Sequence, residues 1–386
     1  VSEGDRESGN AGRATANLVD GTYARLVHRA GTEQPAWVVF GDEERGPQGV
    51  AAAALGLDLA GADLYEILPR GKHWYPASET GPMAETLSRV KAGKIAVAVG
   101  ASMGGYGALR YGARAGCTTV LAFAPQARIT PGMRGIGARH AEHYRADLHA
   151  GMEIEPEDLP ERAYAVIDPA NPHDLLHAEL LRHEAGVEVI ALPHMGSHPE
   201  RAMASPDIAR TALAAAAAGD REGLARALRR GRRQDKGFLA RLSMTCSERG
   251  HPAWGESIAR MSGVAEDPAA PILHLALAMA RARLGRPLEA LEDIEALIVA
   301  APRNLRYWNA LAGQYQVMGF PEAAAEVYEL ALGETEHFSF CWKLILNRMA
   351  AGAVDEARLL TDLALEHWPD RAAQIARVRA RLDAAA

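Results

Sequence analysis

The sequence predicts two architectures in one chain: a doubly wound, mostly parallel α/β sheet over residues 20–203, then an all-α array of helical repeats over 204–386. Three observations carry this. Short, β-branched apolar runs alternate with helical patterns through the first half. One of those runs leads into Gly100-Ala101-Ser102-Met103-Gly104, a strand-to-helix turn with glycine at both ends. Beyond residue 204 the strand runs stop, and large and small apolar residues recur in a register of about 34 residues.

Length and composition bound the rest. The 386 residues suffice for two domains, and 48% hydrophobic residues allow a core in each. A net charge of −7 and a pI near 6.1 argue against a nucleic-acid binder. Three widely spaced cysteines, Cys117, Cys246 and Cys341, suggest neither a disulfide framework nor a zinc knuckle. No run is apolar enough to span a membrane and no leader pattern is visible, so the expected location is cytoplasmic.

Residues 1–19 are polar and Gly/Ser/Glu-rich, and are expected to form a disordered arm. Expected strands follow at Tyr23–His28, Ala36–Phe40, Asp63–Leu68, Ile95–Val99, Thr119–Phe123, Ala163–Ile167 and Val187–Leu192. Met83–Val90 and Asp174–Glu184 read as helices between them, and a further helix runs from the serine turn to near Gly116. In the second half, Leu305–Phe338 carries Trp308, Leu311, Ala312, Tyr315, Gly319, Ala324, Tyr328 and Ala331 at tetratricopeptide offsets. Pro271–Asn304 precedes it in the same register. A third unit follows around Trp342, Ile345, Ala357 and Ala364, and Ala372–Leu382 reads as a capping helix. Residues 205–270 read as degenerate hairpins turning near Gly219 and Gly250.

In a parallel α/β sheet, ligand chemistry sits beyond the carboxyl ends of the strands. Ser102, on such a turn, is the candidate nucleophile. The turn forces the serine into strained backbone and needs small neighbours. A serine requires a base and an acid that orients it. Asp168, just past the run 163–167, is the candidate acid, with Asp174 as the alternative. His198, on the loop after the last strand, is the candidate base, with His194 as the alternative. His194 and His198 stand four residues apart, but Pro193 and Gly196 disfavour the helix a metal pair would need, so no metal or cofactor is expected. Candidate oxyanion donors are the Met103 N–H and an N–H of Gly41 or Asp42 in the GDEERG loop. Trp74, Tyr75 and Gln126 are candidate substrate contacts at the pocket mouth. His140, His143 and His177 read as polar surface in a His-rich segment where a lid would sit, which also carries Arg134, Arg139 and Arg145.

Together, the elbow, the Ser–Asp–His chain order and the βα alternation resemble the α/β-hydrolase superfamily over about residues 20–203. More narrowly, GASMGGYGALRYG followed by AFAPQ, with HWY upstream, is similar to a group of bacterial serine-hydrolase-like proteins. The second half resembles tetratricopeptide repeats. The first resemblance implies hydrolysis of an ester, thioester or amide, or acyl transfer, through an acyl-serine; an acyl or glycan ester is the substrate class expected. The second implies a groove for a protein or peptide partner, displaying Arg306, Asn309, Gln316, Lys343 and Asn347. A non-catalytic, hydrolase-like adaptor is the competing reading. Oligomeric state is open.

Overall fold

The computed structural model describes residues 15–42, 61–131, 138–261 and 271–384. They divide into two compact units, Val1–Phe238 and Leu239–Ala386.

The first unit is built on an eight-stranded sheet of order β1-β2-β4-β3-β5-β6-β7-β8. The strands are β1 (Thr15–Asp20), β2 (Ala24–Arg29), β3 (Glu33–Phe40), β4 (Ala62–Pro69), β5 (Ala96–Ala101), β6 (Thr119–Phe123), β7 (Arg162–Ile167) and β8 (Glu188–Ala191). From β4 to β8 all neighbours are parallel, while β1 and β2 are antiparallel at one edge. β5 and β6 are buried along their whole length, as a central parallel strand with both faces covered must be. That double burial is why Val97, Val99, Val120 and Leu121 form near-continuous apolar runs.

Residues 15–19, expected within a disordered arm, instead belong to a strand: Thr15–Asp20 pairs with β2. As a largely exposed edge strand it needs only Leu18 and Val19 against the core. Residues 1–14 lie outside the described residues. The helix expected at Met83–Val90 starts earlier, as α1 (Ala77–Val90), with Pro82 inside it. α2 (Met103–Tyr111) follows β5, α3 is a single turn (Ala146–His149), and α4 (Pro172–Leu180) continues as a wider turn to Ala185.

Helices α5 (Pro206–Ala218) and α6 (Arg221–Gly231) form the first of the hairpins read as degenerate repeats. α5 packs on β5 and β6, and Arg162, Arg221 and Arg232 bond to carbonyls across the junction with the sheet. The change of character read at 204 therefore precedes the end of the first unit at Phe238, because α5 packs on the sheet and α6 packs on α5.

The second unit is helical. α7 (Lys236–Glu248) straddles the division, and α8 (Pro252–Met261) pairs with α9 (Pro271–Arg283) across an undescribed stretch. Then come the pairs α9/α10 (Pro287–Ala300), α11 (Leu305–Val317)/α12 (Pro321–Thr335) and α13 (Phe338–Ala350)/α14 (Val354–His367), with α15 (Ala372–Ala384) last. These are tetratricopeptide-like hairpins at the register read from the sequence. Fully buried Ala278, Ala290, Ala312, Ala324 and Ala331 let the helices approach, and Trp308, Leu311 and Tyr328 fill the space between them. Among the described residues no helix is long and apolar enough to cross a membrane.

Candidate active site

Among the described residues, five non-glycine residues with positive φ lie in loops at one edge of the sheet. Trp74 (44°) and Tyr75 (51°) follow β4, Ser102 (53°) follows β5, Ala124 (42°) follows β6 and His194 (69°) follows β8. Strained backbone of this kind persists only where its surroundings over-determine it, and it gathers at functional sites.

Ser102 is the junction of β5 and α2, with φ 53° and ψ −121°. Its N–H donates to Phe123 O at 2.8 Å, which ties the turn to the end of β6. The glycines around it are steric necessities. A Cβ on Gly100 would stand 2.1 Å from Gly104 O, and one on Gly104 would stand 2.2 Å from Phe40 O. The start of α2 thus rests directly on the backbone leaving β3. The Ser102 side chain does not cap this helix, so its first-turn N–H groups, Met103 included, are not spent on the serine oxygen.

The Ser102 hydroxyl donates to Gln126 Oε1 at 3.4 Å. Gln126 is held by its Nε2, which donates to Ala124 O at 3.0 Å. That bond fixes the amide with its oxygen toward the serine. Of the two oxyanion candidates after β3, the Gly41 N–H is committed to the sheet, donating to Ile67 O at 2.9 Å. Asp42 is the last described residue of that loop; the rest of GDEERG lies outside the described residues.

Tyr75 does not line a pocket mouth. It is 1% exposed, and its hydroxyl donates to Gly41 O at 2.6 Å and lies 3.3 Å from Ile67 O. Burial pushes the phenol well above its ordinary value, with the Asp42 charge adding to the effect. Tyr75 is a strut for the loop after β3. Trp74 is buried as well. Its backbone N–H donates to Met103 Sδ at 3.3 Å, His143 stacks on its ring at 5.5 Å and His140 lies at 4.8 Å. Its indole Nε1 is buried with no acceptor. The helical turn Ala138–His143 thus lies over Trp74, at the place in the chain where a lid was expected. Arg134 lies outside the described residues, as does the Arg139 side chain, and Arg145 pairs with Asp147.

Three histidines of this half, His73, His149 and His177, are buried. His177 is buried, its Nδ1 accepts from the Ala127 N–H at 3.2 Å, and it is no surface group as the sequence suggested. Burial, helped by the His140, His173 and Arg128 charges, lowers it to about 4. Buried His149 accepts the Arg145 N–H at Nδ1 and donates from Nε2 to His73 O, and His73, lowered chiefly by burial, reaches Tyr23 O.

Asp168 is 2% exposed at the end of β7. Its Oδ1 accepts from the Ala170 N–H at 3.0 Å and its Oδ2 from the Gly196 N–H at 2.7 Å. It does not hydrogen-bond His198. The second contact has a geometric consequence. β8 stands three strand spacings from β5, about 14 Å. By gripping Gly196, Asp168 draws the loop after β8 back over β7, toward the serine. Asp174, the alternative acid, sits in the first turn of α4 and accepts from Asn171 Nδ2 at 2.8 Å. Asn171 Nδ2 also reaches Ser197 Oγ at 3.2 Å, a second tether on the same loop.

His198 is partly exposed, and its Nδ1 lies 3.2 Å from Oε1 of Glu200. Glu200, 2% exposed, was not singled out from the sequence. His194 is half-buried with its ring 6.2 Å from that of Phe238. Among the described residues, no group of three or more His, Cys, Asp or Glu is placed to hold a metal ion.

In the helical unit, three of the residues read as a binding face, Asn309, Lys343 and Asn347, tie neighbouring repeats together. Lys343 Nζ donates to Asn309 Oδ1, and Asn347 Nδ2 donates to Pro321 O at 3.1 Å.

No protein-family model matches the chain, and no curated protein matches it significantly. Solved structures to which parts of it are similar include a thermophilic TPR protein of Thermus thermophilus, at 20% identity and a TM-score of 0.32, over 46% of this chain and 97% of that one. A MamA protein is similar at 19% identity and 0.31, over 43% and 92%. The capsule O-acetyltransferase of Neisseria meningitidis serogroup A is similar at 12% identity and 0.35, over 45% and 84%. At these identities and scores they assign no activity to this chain.

Proposed function

We propose that the α/β unit is a serine-nucleophile enzyme of the α/β-hydrolase type, which hydrolyses an ester or thioester through an acyl-serine. The observation that carries this reading is the backbone of Ser102: a strained φ of 53° on a glycine-packed turn between a buried parallel strand and a helix. A merely structural serine has no need of that strain. The strand order with its antiparallel β2, and the strained loops gathered at the carboxyl edge, support the same reading.

In this mechanism Ser102 Oγ leaves Gln126 and attacks the acyl carbon. Its proton passes to Nε2 of His198, and the carbonyl electrons move to the oxygen. The Met103 N–H, at the positive end of α2, stabilises that oxyanion. The chain around Asp42, which the Gly104 contact brings beside the helix start, is where a second donor would stand. Collapse of the intermediate expels the alcohol or thiol, which takes the proton from His198. Water, deprotonated by the same imidazole, then attacks the acyl carbon; the bond to Ser102 Oγ breaks, Oγ takes the proton back from His198, and the acid leaves. If a second alcohol replaces water, the same groups perform acyl transfer. The helical unit, with its hairpin repeats, would bind a protein or peptide partner.

Turnover of aryl acetates and acyl thioesters tests the proposal. Ser102→Ala is expected to lower it at least about 10³-fold with the fold intact; unchanged turnover would remove the reading. One observation favours a non-catalytic adaptor instead, namely that the Ser102 hydroxyl is bonded to an amide oxygen and not to an imidazole. That reading expects no turnover in the wild type either.

A further inference from the structure

We propose that Glu200, and not Asp168, is the positioning residue that orients the His198 ring. The inference rests on the reading of Ser102 and His198 as nucleophile and base.

Three features of the structure carry it. The first is contact. Glu200 Oε1 lies 3.2 Å from His198 Nδ1, whereas Asp168 makes no hydrogen bond to that ring. The second is commitment. Each oxygen of Asp168 already accepts a backbone N–H, from Ala170 and from Gly196, so its carboxylate holds the loop. The third is burial. Glu200 is 2% exposed, and a carboxylate removed from water is costly unless it meets donors.

The local chain explains why the pair forms. His198 precedes the helical turn Pro199–Met203, whose first residue is proline. The Arg201 N–H closes on His198 O at 3.2 Å. This tight turn folds the side chain two residues on back over the imidazole. Engaging Nδ1 fixes the tautomer that carries hydrogen there and leaves the lone pair on Nε2, the atom that must take the serine proton. When that proton arrives the ring becomes an imidazolium. Glu200 stays ionised beside it, and no proton passes to the carboxylate.

The test compares fluorophosphonate labelling of wild type, Ser102→Ala, His198→Ala, Glu200→Gln and Asp168→Asn. In labelling, Ser102 Oγ forms a bond to phosphorus, fluoride leaves and His198 takes the proton. Ser102→Ala and His198→Ala are expected to abolish it. Glu200→Gln keeps size and an acceptor but removes the charge. Its maximal labelling rate should fall about 10²-fold or more with the probe's apparent affinity unchanged. Asp168→Asn, which loosens the loop but leaves the Glu200 contact, should lower that rate less than Glu200→Gln does, per folded molecule. Imidazole ¹⁵N shifts give a readout independent of activity: His198 is expected in the Nδ1–H tautomer in wild type and Asp168→Asn, and to lose that preference in Glu200→Gln.

Wild-type labelling rates in Glu200→Gln, with the two controls silent, would overturn the assignment of Glu200 and leave the serine-enzyme reading standing. A tautomer that follows Asp168→Asn instead would return the role to Asp168. If wild type fails to label, the serine-enzyme reading falls, and the ¹⁵N shifts alone decide whether Glu200 holds the ring.

Discussion

The two units bury different things. Among the described residues, the α/β unit buries Asp63, Glu66, Lys91, Asp168, Asp174 and Glu200, together with His73, His149 and His177. The buried polar residues of the helical unit are Ser243, Ser247, Asn347 and Thr361, none of them charged. Backbone strain divides the same way. Five strained non-glycine residues stand at the carboxyl edge of the sheet, while the helical unit has Glu336 at a helix end and otherwise turns on glycines such as Gly285, Gly319 and Gly352. Burying charge and holding strain both cost stability, and only the first unit does so systematically. Buried charge and backbone strain are thus concentrated in the α/β unit, as the proposed chemistry there requires.

Substitutions in each unit should act on that unit alone. The largest effect is expected from Gly104→Ala. Its Cβ meets the Phe40 carbonyl, backbone that cannot swing aside, so the α/β unit should lose about 4 kcal/mol and its labelling. Calorimetry should show the transition of that unit fall while the helical transition stays; a fall in both would make the units one cooperative body.

Next comes the buried imidazole of His177, lowered from 6.5 to about 4 in the folded chain. The unfolded chain therefore binds the extra proton in that window. Stability contributed by the neutral ring is complete above about pH 6.5 and is lost as the pH falls toward 4, by about 3 kcal/mol in all. Denaturant titrations should show a shallower acid limb in His177→Gln than in wild type. Equal limbs would mean that the ring is hydrated.

A smaller effect is expected from Ala324→Leu, at a fully buried helix contact of the repeats. Overpacking there should cost the helical unit about 1–3 kcal/mol and leave labelling unchanged. Lost labelling would show that the repeats govern the serine.

Much of this molecule was legible in its sequence. The central strands were, because buried parallel strands are written as runs such as AVAV and TVLAF. The hairpins were too, because helix approach demands alanine at fixed intervals. β1 was not, since an exposed edge strand requires few apolar residues. Tyr75 was misread because an aromatic beside a polar loop suggests a pocket, whereas its ring fills the space beside Gly107. A Cβ on that glycine would stand 2.7 Å from the Tyr75 ring. The helical Gly-Gly-Tyr-Gly run was the available signal. Glu200 was missed because chain order placed the acid before the base. A His-Pro-Glu turn pairs its ends by local geometry that no periodicity announces.

The most direct measurement is the mass spectrum of the full chain after treatment with a fluorophosphonate, digested and mapped. A single phosphonyl adduct on the peptide that carries Ser102, absent in Ser102→Ala and His198→Ala, is the predicted result. An unmodified Ser102 in the folded wild-type chain, or an adduct on any other residue, would contradict a nucleophilic role for the strained Ser102.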